Sequence, residues 1–257
     1  MTRTVLDHVA VATRVLTDGW DLFGGVLGGR WAYGGNDPGY WWGQLHFRTG
    51  PKIELLTPTA GPDAAFLERF LTTRGPGPHH LNFGVTNIGD TLARVRALGI
   101  EPVKVNLDSA TWKEAFLHPR DAYGIVIQIA QQSGPLPQFA RPPELPEPGA
   151  ASDFVLAELR VDDIDGAVRL YSAALEGEVA SRSETDSERT AELTWPHGAR
   201  IRLVQSGASA LAAPAQQADC GLSLLRFSRD APDLSLGEPA RIAALSRRLG
   251  VSLALND

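Results

Sequence analysis

Repetition constrains this chain most. A short β-rich strand, an amphipathic helix and further strands separated by turn residues occur twice before residue 131 and begin again after residue 152. The first copy has a strand at 5–12, a helix at 18–27 and strands at 40–48 and 52–57. Thr49-Gly50 between the last two predicts a tight hairpin. After Pro76-Gly77-Pro78 a second copy has a strand at 79–85, a helix at 88–98 with Asn87 as its cap, and strands at 102–105, 111–117 and 124–130. An extra helix at 63–74 lies between the two copies. Residues 131–152 carry six prolines (135, 137, 142, 143, 146 and 148) and little apolar periodicity, which marks a linker. Beyond it a third copy shows a strand at 154–161, a helix at 164–175 and strands at 190–195 and 200–204. A fourth has a strand at 222–228 and a helix at 239–249, and is two strands short when the sequence stops at Asp257.

Two repeats before a proline-rich break predict one α+β domain of paired βαβββ modules at 1–132, a linker at 133–152, and an incomplete domain of the same kind at 153–257. A 43% hydrophobic content over 257 residues supplies the core this needs. Formal net charge is −6 and no Lys/Arg cluster forms a basic face, so nucleic acid is excluded as the expected partner. No apolar run reaches the roughly 20 residues of a membrane span, and Met1–Arg3 lead straight into strand-like sequence, so a soluble, cytoplasmic protein is expected. The single cysteine, Cys220, allows neither an intrachain disulfide nor a multi-thiolate zinc site. Any metal must be held by imidazole, carboxylate or amide groups.

Strand alternation assigns the polar residues to faces. His8 lies opposite Val5, Val9 and Val11; Glu54 opposite Ile53 and Leu55; His80 and Asn82 opposite Leu81, Phe83 and Val85; Gln128 opposite Ile125, Ile127 and Ile129. Four strands therefore put one potential ligand each (His8, Glu54, His80, Gln128) on the face turned from the helices. Two imidazoles, a carboxylate and an amide oxygen suit a borderline divalent ion such as Zn, Fe, Mn, Co or Ni.

The segments LDHVAVA, KIELLTP, GPHHLNF and FLHPRDAYGIVIQIAQ resemble the strand motifs of the vicinal oxygen chelate superfamily, which includes glyoxalase I, extradiol dioxygenases, bleomycin-resistance proteins and methylmalonyl-CoA epimerase. The inserted helix, the double histidine and the FLHP run are most similar to the epimerase branch. The resemblance covers residues 4–132 and implies paired modules curling around a divalent metal, with His8, Glu54 and His80 at ligand positions. His79, on the other face, is structural on this reading. Gln128 falls where the family carries a glutamate, which weakens the metal site by one negative charge and removes a base used in proton transfer. Asp37 is the only carboxylate where the epimerase pattern has a catalytic acid, and Trp41 and Trp42 flank the expected cavity. Adjacent tryptophans on a strand face opposite ways, so one joins the core and one lines the pocket with Asn82. This aromatic wall argues against a coenzyme A thioester.

The hairpin register predicted by Thr49-Gly50 sets Leu45 opposite Glu54 and leaves Gln44 and His46 outside the metal's ligands. Whichever of Lys113 and Glu114 faces the cavity is the candidate acid or base, and Glu114 together with Glu54 is assigned the catalytic role. The glycines at 24, 25, 28 and 29 end a helix, which removes a phosphate-loop reading. In the second half, aligning VLAELRV with VLDHVAV puts Glu158 at the His8 position, Arg202 at the Glu54 position and Leu224 at the His80 position. No metal set remains there, and Glu158 with Arg202 is expected as a buried ion pair in its place.

The function expected is that of a metal-dependent isomerase, epimerase or lyase whose small oxygenated substrate chelates the ion and reacts through an enolate-like intermediate. The alternatives are an Fe(II)-dependent extradiol-type dioxygenase and a metal-free small-molecule binding or resistance protein. A homodimer is compatible with the second half covering a sheet edge.

Overall fold

The structure is a computed structural model that describes residues 4–135, 139–207, 220–229 and 238–256. The expectations for Met1–Arg3 and for Pro137 lie outside those residues. The first half runs β1 (Val5–Ala12), α1 (Leu16–Gly19) continuing into a π-helical stretch Trp20–Val26, β2 (Arg30–Asp37), β3 (Tyr40–His46) and β4 (Lys52–Pro58). It continues through α2 (Ala65–Arg74), β5 (Gly77–Gly84), α3 (Ile88–Ala97), β6 (Val103–Asn106), β7 (Trp112–Leu117) and β8 (Val126–Gln132). The second half runs β9 (Ser152–Arg160), α4 (Ile164–Arg169) continuing into π-helical Leu170–Ala174, β10 (Glu178–Glu184), β11 (Glu188–Thr194), β12 (Arg200–Ser206), β13 (Gly221–Arg229), α5 (Glu238–Arg248) and β14 (Leu253–Asn256).

These strands form two mixed sheets, ordered β2-β3-β4-β1-β5-β8-β7-β6 and β10-β11-β12-β9-β13-β14. The class is α+β, as the repeats predict. In each module the strand before the helix pairs in parallel with the module's last strand: β1 with β4, β5 with β8, β9 with β12. The short fourth repeat keeps this rule by another route. Chain leaving α5 returns directly beside β13 as β14, parallel to it, in the place that β8 holds beside β5.

Two strands, β2 and β10, have no signal in the sequence pattern. All side chains of β10 are exposed, so no apolar alternation marks it. β2 contains Gly34-Gly35, and Gly34 has no room for a Cβ because the Trp31 ring and the Trp42 carbonyl close over it.

The chain divides into two units, one of residues 8–79, 136–155 and 225–257, the other of residues 1–7, 80–135 and 156–224. In the first, Phe227 packs on Phe23 (6.5 Å between ring centroids), Phe47 (5.0 Å) and Phe154 (4.6 Å, stacked). Arg229 pairs with Glu238 at 2.9 Å and donates to the Val26 carbonyl. The proline-rich segment is no free spacer in this unit. Leu145 is buried, and Leu145, Pro146 and Ala150 press on Gly24, Gly25 and Gly28, where side chains would collide. In the second unit Phe83 packs on Tyr171 (6.0 Å) and Trp195 (5.4 Å), and the Trp195 indole donates to the Leu175 carbonyl at 2.8 Å.

Candidate metal centre

β1 is buried on both faces along most of its length, and its parallel pairing with β4 sets Ala10 beside Glu54 and His8 beside Lys52. Residues of equal parity on these strands share a face, so His8 and Glu54 look the same way. His80 on β5 completes a group. Ligand atoms of His8, Glu54 and His80 all lie within 4.8 Å of one another, and the three residues are 3%, 7% and 6% exposed. His8 Nε2 is 3.5 Å from Glu54 Oε1. Burying a carboxylate is costly unless it is paired and hydrogen-bonded. Here the Gln44 amide nitrogen donates to Glu54 Oε2 at 2.6 Å and lies 3.2 Å from His8 Nδ1.

Gln44 overturns an expectation. It pairs across the sheet with Glu54, and Leu45 pairs with Ile53. The β3–β4 connection is five residues, 47–51, in place of a two-residue turn, and this shifts the register by one. Residues distant in sequence hold the loop open: Arg48 N donates to the Ser152 carbonyl, Phe154 N donates to the Thr49 carbonyl, and Gly50, at φ +85°, lies against the Phe154 backbone. His46 shares Gln44's face but is exposed at the strand end.

The donor set fits a divalent ion. Two imidazoles and one carboxylate make a 2-His-1-carboxylate arrangement. The Gln44 carbonyl oxygen is buried with no hydrogen-bond partner among the described residues. An imidazole coordinating through Nε2 carries its proton on Nδ1 and needs an acceptor there. Gln44, which holds both a donor and an acceptor beside Nδ1, can serve either tautomer of His8.

Asn82 and Gln128 pair across β5 and β8 on the face that carries His80. Asn82 Nδ2 donates to Gln128 Oε1 at 2.8 Å, Gln128 Nε2 donates to Glu114 Oε2 at 2.7 Å, and the Trp112 indole donates to the same oxygen at 3.1 Å. Glu114 pairs with Ala130 and so shares this face, which puts Lys113 on the other. The Gln128 amide is thus engaged at both ends by its neighbours.

The adjacent tryptophans divide. Trp42 shares the Gln44 face, edge-on to Tyr33 at 5.9 Å and packed on the cluster of Ala10, Ala12, Leu56, Leu67 and Leu71 beneath α2. Trp41 faces the helix side, stacked on Trp31 at 6.2 Å and edge-on to Trp20 at 5.4 Å, and so belongs to that packing and not to the pocket. Asp37 is exposed at the β2–β3 turn. His79 packs against Phe66 and Phe70.

The second sheet corrects the sequence alignment. Thr13 N bonds to the Leu56 carbonyl in the first sheet and Val161 N to the Val204 carbonyl in the second, both partners 148 residues further on. Glu158 therefore matches Ala10, and Leu156 matches His8. Arg202, at the Glu54 position, pairs with Glu158 across the sheet and reaches it at 4.0 Å, with a second contact to Glu188 at 3.3 Å. The expected ion pair forms, but the Arg202 side chain is 36% exposed, so the pair is not buried.

Residues 6–175 match the family model described as the glyoxalase-like domain. The chain belongs to that family. Among solved structures, this glyoxalase-like chain is similar to a triple mutant of 4-hydroxymandelate synthase from Streptomyces coelicolor, with TM-score 0.62 and 14% identity over 96% of this chain and 76% of that one. That likeness shows the fold. A methylmalonyl-CoA epimerase from Mycobacterium tuberculosis matches at 25% identity and TM-score 0.44, over 50% of this chain and 88% of that one. A hypothetical protein from Bacillus halodurans matches at 25% identity and TM-score 0.45, over 52% and 99% respectively. No curated protein matches the sequence. Among the described residues no helix is long and apolar enough to cross a membrane.

Proposed function

We propose that this glyoxalase-like protein is a metalloenzyme of isomerase, epimerase or lyase type that acts on a small oxygenated substrate. The observation that carries the reading is the buried convergence of His8, Glu54 and His80 within 4.8 Å. These three residues would hold the ion. A divalent metal supplies Lewis acidity toward oxygens of the substrate and stabilises negative charge as it develops. Gln44 orients Glu54 and His8 through its amide. Glu114 is the group assigned to proton transfer: two donors, Gln128 and Trp112, converge on its Oε2 and fix the carboxylate's orientation. On this reading Trp42 and Asn82 are assigned to substrate contact, and Trp42, Phe66 and Phe70 pack on the apolar cluster of Ala10, Ala12, Leu56, Leu67 and Leu71.

A second reading is favoured by one observation. The Gln128 amide is committed to Asn82 and Glu114, which leaves two histidines and one carboxylate, the donor set of ferrous oxygenases.

Elemental analysis of the purified protein beside His8→Ala and His80→Ala tests the metal site. About one ion per chain is expected in the parent and loss of it in both variants. Absence of metal under every loading condition would overturn the reading in favour of a metal-free binding protein. Turnover restricted to ferrous iron and oxygen would select the second reading over the first.

A further inference from the structure

We infer that a cavity between α4 and the β10–β11 pair is a binding site for a small planar aromatic carboxylate. It has a volume of about 230 Å³ and is lined by Ile164 and Asp165 of α4 and by residues 182–184 and 189–191 of the two strands. All of these lie in the unit of residues 1–7, 80–135 and 156–224, and the inference stands whether or not His8, Glu54 and His80 hold an ion. The duplicated scaffold shows what such a space is suited to hold. β2–β3 and β10–β11 pair in the same register 148 residues apart, bulge included: Gly34 pairs with Gly43 as Arg182 does with Ala191, and Asn36 with Trp41 as Glu184 does with Arg189. In the first sheet the matching space is filled with indole. Trp41 stacks on Trp31 and meets Trp20 edge-on, and a side chain on Gly34 or Gly43 would collide with these rings. In the second sheet Val168, Val179 and Arg189 stand at the three tryptophan positions. They take up less room than three indoles, and the cavity is the remainder.

The polar rim selects the ligand's shape and charge. Arg189 is held by its edges: Nη2 donates to Asp165 at 2.9 Å, Nη1 donates to Gln205 at 3.4 Å, and Nε lies 3.4 Å from Glu184. Its guanidinium plane is thereby fixed, and what it offers a ligand is a flat face, which stacks on an aromatic ring. Arg182 donates to Asp165 through Nη1 at 3.3 Å, its guanidinium's partner among the described residues. The Nε–Nη2 edge of Arg182 keeps the geometry that pairs with a carboxylate through two parallel bonds. Arg189's hydrogen bond, with the charges of Arg189, Arg182 and Arg169, outweighs burial and holds the Asp165 carboxyl below its ordinary range. Three cations thus stand against the carboxylates of Asp165 and Glu184, a balance that favours an added anion. Ile164 and Ala191, both buried, supply an apolar floor. A cavity of about 150 Å³ accepts benzene, so one of about 230 Å³ admits a ring bearing a carboxylate.

The test titrates indole-3-carboxylate and its uncharged counterpart indole-3-carboxamide into the isotope-labelled full chain and follows the backbone amide signals by NMR. Shifts at residues 182–184 and 189–191 locate binding in the cavity and separate it from carboxylate binding at the metal centre. The acid is expected to bind about tenfold tighter than the amide, the scale of one partly desolvated charge pair. Arg182→Gln should bring that ratio close to one while leaving the amide's affinity unchanged. Ala191→Leu, which puts a larger side chain into the cavity, should abolish binding of both. Cyclohexanecarboxylate, charged but not flat, should bind about threefold more weakly than benzoate. Absence of shifts at these residues with millimolar acid, equal affinity of the acid and the amide for the parent protein, or a preference that survives Arg182→Gln would overturn the site. Should Ala191→Leu fail to fold, Arg182→Gln decides alone, because it alters a side chain that is 53% exposed.

Discussion

Where the first sheet carries His8, Gln44 and Glu54, the second carries Leu156, Glu192 and Arg202 at positions 148 residues further on. The backbone pairing is the same: Ala10 beside Glu54 and Glu158 beside Arg202, Gln44 beside Glu54 and Glu192 beside Arg202. The aromatic packing is the same as well. Phe227 meets Phe23 and Phe47 at 6.5 and 5.0 Å with ring planes inclined by 46° and 62°, and Phe83 meets Tyr171 and Trp195 at 6.0 and 5.4 Å with inclinations of 50° and 58°. The scaffold is thus duplicated while the chemistry is not. Packing needs only volume and apolar surface, which Phe, Tyr and Trp supply alike. A metal site needs particular donor atoms at each position, and a guanidinium at the Glu54 position repels a cation.

The largest expected effect tests the shared half of this comparison. Phe227→Ala and Phe83→Ala each remove the central ring of an equivalent aromatic group, both fully buried. Each should cost about 3–5 kcal/mol in urea unfolding, with the two values alike. A cost confined to one of them would show that the two packings are alike in geometry only.

Gln44 tests the half that differs. Its amide touches both Glu54 and His8, and an outer residue that orients a ligand is worth roughly 10–100-fold in metal affinity. Gln44→Leu should lose that much in a competitive chelator titration, whereas Glu192→Leu, at the matching position of the second sheet, should leave metal affinity unchanged. An equal effect of both substitutions would mean that Gln44 acts through general packing and not on the ligands.

Much of this was legible in the sequence, for definite reasons. His8, Glu54 and His80 stand out because alternation puts a polar residue on one face of strands whose other face is wholly apolar, and a buried strand tolerates that only with partners. β10 left no trace because none of its side chains is buried, and β2 because glycine carries no face information. Gln44 was hidden because register depends on the β3–β4 loop, and that loop is held by Ser152, Asp153 and Phe154, about a hundred residues away. The alignment of Glu158 with His8 erred by two residues, a shift that alternation cannot detect because it returns every side chain to the same face.

The smallest effect concerns that loop. Arg48 donates to Asp153 at 2.9 and 2.6 Å and Thr49 donates to it at 2.9 Å, and the Arg48 hydrogen bonds outweigh the opposing effect of burial and hold the Asp153 carboxyl below its ordinary range. A carboxylate depressed in the folded state contributes stability above its unfolded pKa of about 3.9 and loses it as pH falls through the folded value. Asp153→Asn should therefore lower the melting temperature at pH 6, and the gap to the parent should close as pH drops below about 4. The guanidinium is substantially exposed, so the whole effect is under about 1 kcal/mol. The matching β11–β12 connection is closed within itself, Trp195 N bonding to the Ala199 carbonyl, and among the described residues no backbone hydrogen bond ties it to a distant segment. The difference has a consequence for the site. The register that sets Gln44 opposite Glu54 rests on six backbone pairs of β3 with β4 as well as on the loop, so Asp153→Asn should leave metal affinity at its parent value at pH 6. A fall in affinity with that substitution would mean that the Arg48–Asp153 tie, and not the strand pairing, holds Gln44 against the ligands.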